Sequence, residues 1–391
     1  MPLRWFYLSC LLAFTAGHMV NYSVIIYAQE AIGSDLLSGI GFGLCFGPPL
    51  VLGWYAGALC DRFAPGRLMQ AAQALFIVAA VLLWLADANV GPRVPLLVTA
   101  AALAGVGWSF ASPARMATLG QIAPPEQLKR ASVLFNLLVM LGFGLGPVAI
   151  ALARKTFGWP GVFTAAALAF ALASLLLLWV PTRGRQAAHQ PVLVEIREGV
   201  AAVRANALLL QLMLAAMAGY LAMGPMTVLL PKLAATQLGL GELQRGAFLG
   251  TLALSLISGG MVALVAGPRL PHGVAVFAAT VAAGVALSGL GAVHDARLAV
   301  LLLALVGVAG GFALSLIVAG IQAQAPDAVR GRVVSMYTII SQVVPSASGV
   351  AAGALVHGFG VGVALHVCGA VLALAMGLGA WRMGALRRHR G

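Results

Sequence analysis

The chain has 391 residues, of which 61% are hydrophobic and only 8% are charged. Soluble domains carry about 25% charged residues, and ten Asp and Glu residues cannot cover a globular surface of this size with charge. The composition therefore excludes an ordinary cytosolic enzyme and also a disordered chain. The net charge of +13 does not indicate nucleic acid binding, because the basic residues lie in short stretches between apolar segments.

Twelve apolar segments long enough to cross a membrane follow one another along the chain, since a crossing helix needs about 20 apolar residues. They cover residues 5–27, 38–60, 67–87, 94–118, 131–153, 161–180, 207–230, 243–266, 271–291, 298–322, 332–355 and 361–383. The first segment is too long for the apolar part of a signal peptide, so we expect it to be retained. The sequence thus predicts an all-α membrane protein with twelve transmembrane helices.

A polar and basic stretch, residues 181–206, divides the segments into two groups of six. We therefore expect an N-terminal six-helix bundle at 1–180, a cytoplasmic linker at 181–206 and a C-terminal six-helix bundle at 207–391. The linker is amphipathic around Val192–Arg204, which predicts a helix that lies on the membrane surface. Twelve segments divided in this way are typical of transporters.

The distribution of basic residues predicts the orientation in the membrane. An even number of crossings places both chain ends on one side. If that side is cytoplasmic, seventeen of the 23 Lys and Arg residues lie inside and six lie outside. The six are Arg93, Arg154, Lys155, Lys232, Arg245 and Arg297. This excess agrees with the positive-inside rule and predicts that both termini are cytoplasmic.

The two halves match without gaps at an offset of 202 residues. Among the matches, Ala123-Pro124 corresponds to Ala325-Pro326, Arg130 to Arg332, and Phe157-Gly158 to Phe359-Gly360. Two repeats of the same orientation place a substrate site between the halves near the membrane midplane. The repeat therefore predicts transport by alternating access, in which one half rocks against the other.

The segment after the second span reads Gly57-Ala-Leu-Cys-Asp61-Arg62-Phe-Ala-Pro-Gly66-Arg67. This pattern resembles the signature loop of the major facilitator superfamily, and the resemblance extends over essentially the whole chain. It implies that Gly57, Asp61, Arg62 and Arg67 form a cytoplasmic latch, in which Asp61 pairs with a basic residue or a helix N-terminus. The alternative is that Asp61 and Arg62 form a solvated charge pair in a loop.

The fifth span carries Gly142, Gly146 and Pro147, which resemble the Gly-xxx-Gly-Pro part of a motif linked to antiporters. Small residues of this kind also serve generic helix packing, which is the alternative. Loops near Glu126 and Glu198 resemble those of the bacterial enterobactin-exporter-like branch, which contains exporters of siderophores and macrolides. Drug/proton antiporters usually carry an arginine in the fourth span and often an acid in the first. Here Ala102 occupies the first of these positions, and the first span contains no acid.

Polar residues inside the apolar segments are the candidates for substrate or proton contact. His18 lies halfway along the first span, and Asn21 and Tyr22 follow on the same helical face. The repeat partner of His18 is Tyr220, and the resemblance implies that the two face one another across a cavity. We expect His18 to bind substrate or to respond to protons, because the pKa of histidine lies near neutrality. The alternative is an interior histidine bonded to a backbone carbonyl.

Arg115 is the other embedded charge, near the cytoplasmic end of the fourth span. It can meet an anionic substrate, or it can snorkel or pair with a loop acid such as Asp61 or Glu126. Gln322 and Gln342 are further polar candidates in the second half.

The sequence contains no nucleotide-binding loop, zinc motif or nucleophile elbow, so we predict no enzyme activity, cofactor or metal. The resemblance implies a monomeric secondary transporter of the bacterial inner membrane, in contact with lipids. Its expected activity is proton-coupled export of a small molecule, such as a siderophore or a drug-like compound. The alternatives are an uptake symporter or facilitative carrier for a small organic solute, and a lipid flippase.

Overall fold

The computed structural model describes residues 2–183, 192–326 and 330–389, and the regular elements within these ranges are all helical. The helices are α1 (Pro2–Glu30), α2 (Asp35–Phe46), α3 (Pro49–Arg62), α4 (Pro65–Asp87), α5 (Arg93–Ile122), α6 (Leu128–Leu177), α7 (Val192–Ala205), α8 (Ala207–Leu221), α9 (Met223–Lys232), α10 (Glu242–Ala266), α11 (His272–Leu290), α12 (Ala296–Gln324), α13 (Arg330–Arg382) and α14 (Gly384–Arg388). In the described part of the chain, ten helical segments are long and apolar enough to cross a membrane.

Two of the ten segments, Arg130–Leu177 and Arg332–Arg382, have 48 and 51 residues. A single crossing needs about 20 residues, so each is long enough for two crossings. Gly158 (φ 64°, ψ −161°) and Gly360 (φ 80°, ψ 168°) interrupt them with kinks. Only glycine adopts this backbone conformation readily, because any Cβ atom would clash there. These glycines are partners at the repeat offset of 202 residues, so the sequence repeat has a counterpart in the backbone.

Prolines divide two of the predicted spans. The span predicted at 38–60 is broken between α2, which ends at Phe46, and α3, which begins at Pro49, because proline has no backbone N–H to donate. The span predicted at 207–230 is broken where α8 ends at Leu221. Pro225 lacks the N–H that would bond to the carbonyl of Leu221 in a continuous helix.

The chain divides into two compact units. Unit 1 comprises Met1–His189 and Gly241–Gly250, and unit 2 comprises Gln190–Leu240 and Thr251–Gly391. The change from unit 1 to unit 2 after His189 falls within the stretch 181–206 that the sequence assigns to a linker. The first part of α10 belongs to unit 1, which nothing in the sequence indicates.

Helix α1 forms the centre of unit 1. Its most apolar stretch is 78% buried, and α2, α5 and α6 pack around it. Helix α6 comes close because Gly142 and Gly146 have no side chain. A Cβ atom at these positions would lie 2.5 Å from the Cβ of Phe14 and 2.8 Å from the Cβ of His18. The polar residues of α1 are therefore enclosed within unit 1.

Two short helices attach to the long helices of unit 2. Helix α7 corresponds to the amphipathic stretch of the linker, and its Glu198 carboxylate accepts a hydrogen bond from Nη1 of Arg332 on α13. The other short helix, α14, is followed by His389, whose carbonyl accepts a hydrogen bond of 3.1 Å from the backbone N–H of Gly273. The ring centroids of His272 and His389 are 5.7 Å apart.

Candidate functional site

The polar face of α1 lies in the interior of unit 1. His18 is 8% exposed and Asn21 is 1% exposed, and Tyr22 is buried beside them. Polar side chains cost more than apolar ones inside membrane helices, so these three buried residues are candidates for contact with a substrate. The structure thus brings the three α1 candidates together on one buried face.

Trp108 of α5 is the residue around which this face is organised. Its indole Nε1 donates a hydrogen bond of 3.2 Å to Oδ1 of Asn21. Its ring centroid lies 5.2 Å from that of His18, 6.2 Å from that of Phe14, which is stacked on it, and 5.4 Å from that of Phe76. We call these five residues, Phe14, His18, Asn21, Phe76 and Trp108, the Trp108 cluster. It combines aromatic surface with a few polar groups, as small-molecule sites do.

The His18 ring lies beside two aromatic rings. Besides Trp108, Phe143 of α6 approaches it edge-on, with ring centroids 5.1 Å apart. Among the residues that the structure describes, no protein group forms a hydrogen bond with the His18 ring nitrogens. Nδ2 of Asn21 is also buried without a partner. The alternative of a histidine bonded to a backbone carbonyl is therefore not what the structure has, and both side chains retain unused hydrogen-bonding capacity.

Arg115 lies on α5, seven residues after Trp108 and on the same helical face. It is only 2% exposed, so it does not snorkel to the surface. Its guanidinium carbon lies 5.0 Å from the ring centroid of Phe14, and its Nη1 donates a hydrogen bond of 3.2 Å to the carbonyl of Ala111. Glu126, which the sequence offers as a partner, is exposed on the surface.

The candidates of the second half lie in unit 2. The hydroxyl groups of Tyr220 and Tyr337 form a hydrogen bond of 2.6 Å. Gln342 is half-buried on α13, and Gln322 is exposed near the end of α12. His18 belongs to unit 1 and Tyr220 to unit 2, and their expected opposition across a cavity stays a prediction.

The predicted latch lies largely outside what the structure describes. The backbone of Gly57, Asp61 and Arg62 belongs to α3, but the side chains of Asp61 and Arg62 and the surroundings of Gly57 are not among the described parts. Arg67 is exposed on the first turn of α4. Pro147 is buried in α6 next to Gly146, one turn from Gly142.

An ionic network at the end of α1 was not predicted from the sequence. Nη2 of Arg154 lies 2.5 Å from Oε2 of Glu30, and Nη1 of Arg245 lies 3.0 Å from Oε1 of the same carboxylate. Arg154 also lies 3.6 Å from Glu242 and stacks over Trp159, with 4.4 Å from its guanidinium carbon to the ring centroid. All five residues belong to unit 1.

The sequence also does not mark Trp108 as a site residue or Tyr337 as the partner of Tyr220. Trp108 was on the same predicted helical face as Arg115, which was a usable signal. Glu30 and Glu242 were two of only ten acidic residues, and both lay near predicted outer ends of spans, beside Arg154 and Arg245. A search for ion pairs among the scarce acids would have found the network.

Comparison with known proteins identifies the family. A family model described as "Major Facilitator Superfamily" matches residues 6–349. The chain belongs to this superfamily. It is accordingly a multi-pass membrane protein of a transporter family. A comparison with curated protein sequences found no match.

Several solved structures of superfamily members are similar in fold. A POT family transporter in complex with 5-aminolevulinic acid has a TM-score of 0.80 and 14% identity, covering 98% of this chain and 96% of that one. A D-xylose-proton symporter has a TM-score of 0.75 and 14% identity, covering 96% of both chains. A bacterial homologue of the human lysosomal transporter Spinster has a TM-score of 0.70 and 14% identity, covering 98% of this chain and 96% of that one. Identities this low show the shared fold alone.

Proposed function

We propose that this protein is a secondary transporter of the bacterial cytoplasmic membrane that exports a small molecule by alternating access. Each of the two long segments can cross twice, once before and once after its kink at Gly158 or Gly360. Ten apolar segments could therefore supply twelve crossings. The excess of basic residues favours cytoplasmic termini. The activity would be driven by an ion gradient, since the sequence shows no nucleotide-binding loop.

The observation that carries this proposal is the Trp108 cluster. Nδ2 of Asn21 is buried without a hydrogen-bond partner, and no described protein group bonds to the ring nitrogens of His18. Such groups are costly in a membrane protein, and a transported solute that bonds to them compensates for that cost. We therefore assign substrate contact in unit 1 to His18, Asn21 and Tyr22, with Arg115 at the edge of the cluster. A role for Tyr220, Gln322 and Gln342 of unit 2 stays a prediction.

Export is favoured by two sequence features. The segment with Gly142, Gly146 and Pro147 resembles the antiporter motif, and the loops near Glu126 and Glu198 resemble those of siderophore and macrolide exporters. A siderophore or drug-like compound is the substrate that this branch suggests. His18 is the residue to which we assign the response to protons, because the first span offers no carboxylate at its centre.

Uptake by symport is the second candidate function. A similar fold belongs to a protein described as a D-xylose-proton symporter, and the fourth-span arginine typical of drug/proton antiporters is replaced here by Ala102. An uptake carrier would use the same polar cluster but would load its substrate from the opposite side of the membrane.

Vesicles of both orientations distinguish the two directions. Inside-out vesicles should accumulate a drug or siderophore when the protein is present, whereas right-side-out vesicles should accumulate sugars or peptides if it is an uptake symporter. The matched variants are His18→Gln and His366→Gln, because His366 is exposed and its Nδ1 lies 3.3 Å from the hydroxyl of Ser288 within unit 2. We expect His18→Gln to lower the rate of transport and change its pH dependence, and His366→Gln to have no effect. Normal transport by His18→Gln would contradict the assignment, and movement of phospholipid alone would indicate a flippase.

A further inference from the structure

The Arg115 side chain is a buried cation whose charge no described protein group neutralises. Its Nη1 donates a hydrogen bond to the carbonyl of Ala111, in its own helix. Its Nε and Nη2 atoms are fully buried and have no hydrogen-bond partner. Among the residues that the structure describes, none of the ion pairs involves Arg115. A guanidinium in this state is destabilising, because it has lost its water and gained no anion.

The immediate surroundings of Arg115 do not compensate for this loss. The face of Phe14 attracts the guanidinium, but a cation–π contact replaces only part of the lost hydration. The other polar neighbour is the thiol of Cys10, which is a weak hydrogen-bond acceptor. The site therefore offers positive charge and two donors in an apolar environment, and lacks the anion.

The two unused donors lie on the same edge of the guanidinium. Nε–H and Nη2–H point in parallel, and this edge binds both oxygens of a carboxylate at once. Nη1, on the far side, is already occupied by Ala111 and fixes the plane of the group. Because only one positive charge is buried here, a monoanion would neutralise it, whereas a dianion would leave a buried negative charge.

We propose that Arg115 binds the carboxylate of a monoanionic, amphiphilic substrate, whose apolar part lies against Phe14 and Trp108. This inference rests on the proposed transport function and narrows its substrate class. The rings of Phe14 on α1 and Trp108 on α5 are stacked with an interplanar angle of 8°, and both residues are buried. The aromatic or aliphatic body of such a substrate would extend from Arg115 along these two rings toward His18.

The test is binding to the purified full-length protein in lipid nanodiscs, measured by calorimetry. The probes are 3-phenylpropionate and a short series of aryl and alkyl monocarboxylates, each compared at millimolar concentration with its own amide. We expect at least one acid to bind about tenfold or more tightly than its amide, since the amide lacks the charge that pairs with Arg115. Inorganic phosphate, measured at a pH well above its second pKa so that it is the dianion, is the control for a dianion.

Three variants separate binding from folding. Arg115→Gln should weaken acid binding to the level of the amide, and Arg115→Lys should weaken it about tenfold, because an ammonium group cannot form the two-pronged pair. Arg130→Gln, which removes an exposed arginine, should leave the affinity unchanged. The thermal midpoint of ligand-free Arg115→Gln should be equal to that of the wild type or higher, since an unpaired buried charge has been removed.

Several results would overturn the inference. These are equal binding of every acid and its amide, acid binding that survives Arg115→Gln, tighter binding of phosphate than of any monocarboxylate, and a strongly lowered thermal midpoint of ligand-free Arg115→Gln. The assay needs neither a gradient nor net flux, so it gives its answer even if the transport proposal fails. Conversely, transport of neutral compounds alone would contradict this inference and leave the transport proposal standing.

Discussion

Gly142 and Gly146 set the distance between α1 and α6, and replacing each with alanine tests that contact. A Cβ atom at position 142 would lie 2.5 Å from the Cβ of Phe14 and 2.8 Å from its carbonyl carbon. One at position 146 would lie 2.8 Å from the Cβ of His18. Ordinary contact begins at 3.4 Å, so α1 and α6 would have to separate by up to about 0.9 Å. Side-chain rotation cannot relieve the clash, because the contacted atoms are Cβ or backbone atoms.

The expected loss of stability follows from two opposing terms. An extra methyl group in a closely packed interior costs about 1–3 kcal/mol. Replacing glycine with alanine inside a helix gains about 0.5–1 kcal/mol. The net loss for Gly142→Ala is therefore about 0–2.5 kcal/mol, which for a chain of 391 residues corresponds to a fall in Tm of up to about 3 °C. Gly146→Ala should lower Tm less, since its shortest contact is longer.

Thermal unfolding of the detergent-solubilised protein, followed by tryptophan fluorescence, measures these shifts. Gly377→Ala is the matched control, because Gly377 is also in a helix but no atom lies within 4 Å of the place its added methyl group would take. We expect Gly377→Ala to raise Tm slightly through helix propensity alone. If Gly142→Ala raises Tm as the control does, the close packing of α6 on α1 is refuted.

Three further predictions concern the ends and kinks of the helices. Arg154→Gln should lower the free energy of unfolding by about 1 kcal/mol at low ionic strength and by less at high ionic strength. The neighbouring Lys155→Gln should leave it unchanged. Equal Tm shifts for both variants would argue against the ionic network. Partial burial, and then the charge of His272, lower the pKa of His389 below its usual 6.5. Its contribution to stability is therefore present above pH 6.5 and is lost as the pH falls through the folded-state pKa, so His389→Gln should lose less Tm on acidification than the wild type; identical pH profiles would contradict this. Gly158→Ala should destabilise by about 1–3 kcal/mol, and an unchanged Tm would show that the kink tolerates a side chain.

The sequence predicted an all-helical chain of long apolar segments because apolar length is a local property, whereas the number of crossings stays a prediction. It also matched Gly158 to Gly360 at the repeat offset, although it did not predict that either glycine kinks its helix. The contact between Asn21 and Trp108 joins residues 87 positions apart, and no local pattern specifies which helices pack together. The sequence also could not predict that Arg115 lacks an anionic partner, because this depends on which side chains lie near it in the fold. The pairing of Glu30 with Arg154 is partly predictable from the sequence, because the chain has few acids and each basic residue therefore has few possible partners.

The kinks at Gly158 and Gly360 have a consequence for how such a duplicated chain can evolve. At most positions 202 apart the two halves have diverged, because one apolar side chain can replace another in contact with lipid. At the two kinks, any codon change away from glycine adds a Cβ atom to a backbone with φ of 64° or 80°, a conformation that L side chains rarely adopt. Selection there acts on the peptide backbone and not on side-chain chemistry. The two glycines therefore keep the sequence repeat visible in the backbone, although most of the side chains around them differ between the halves.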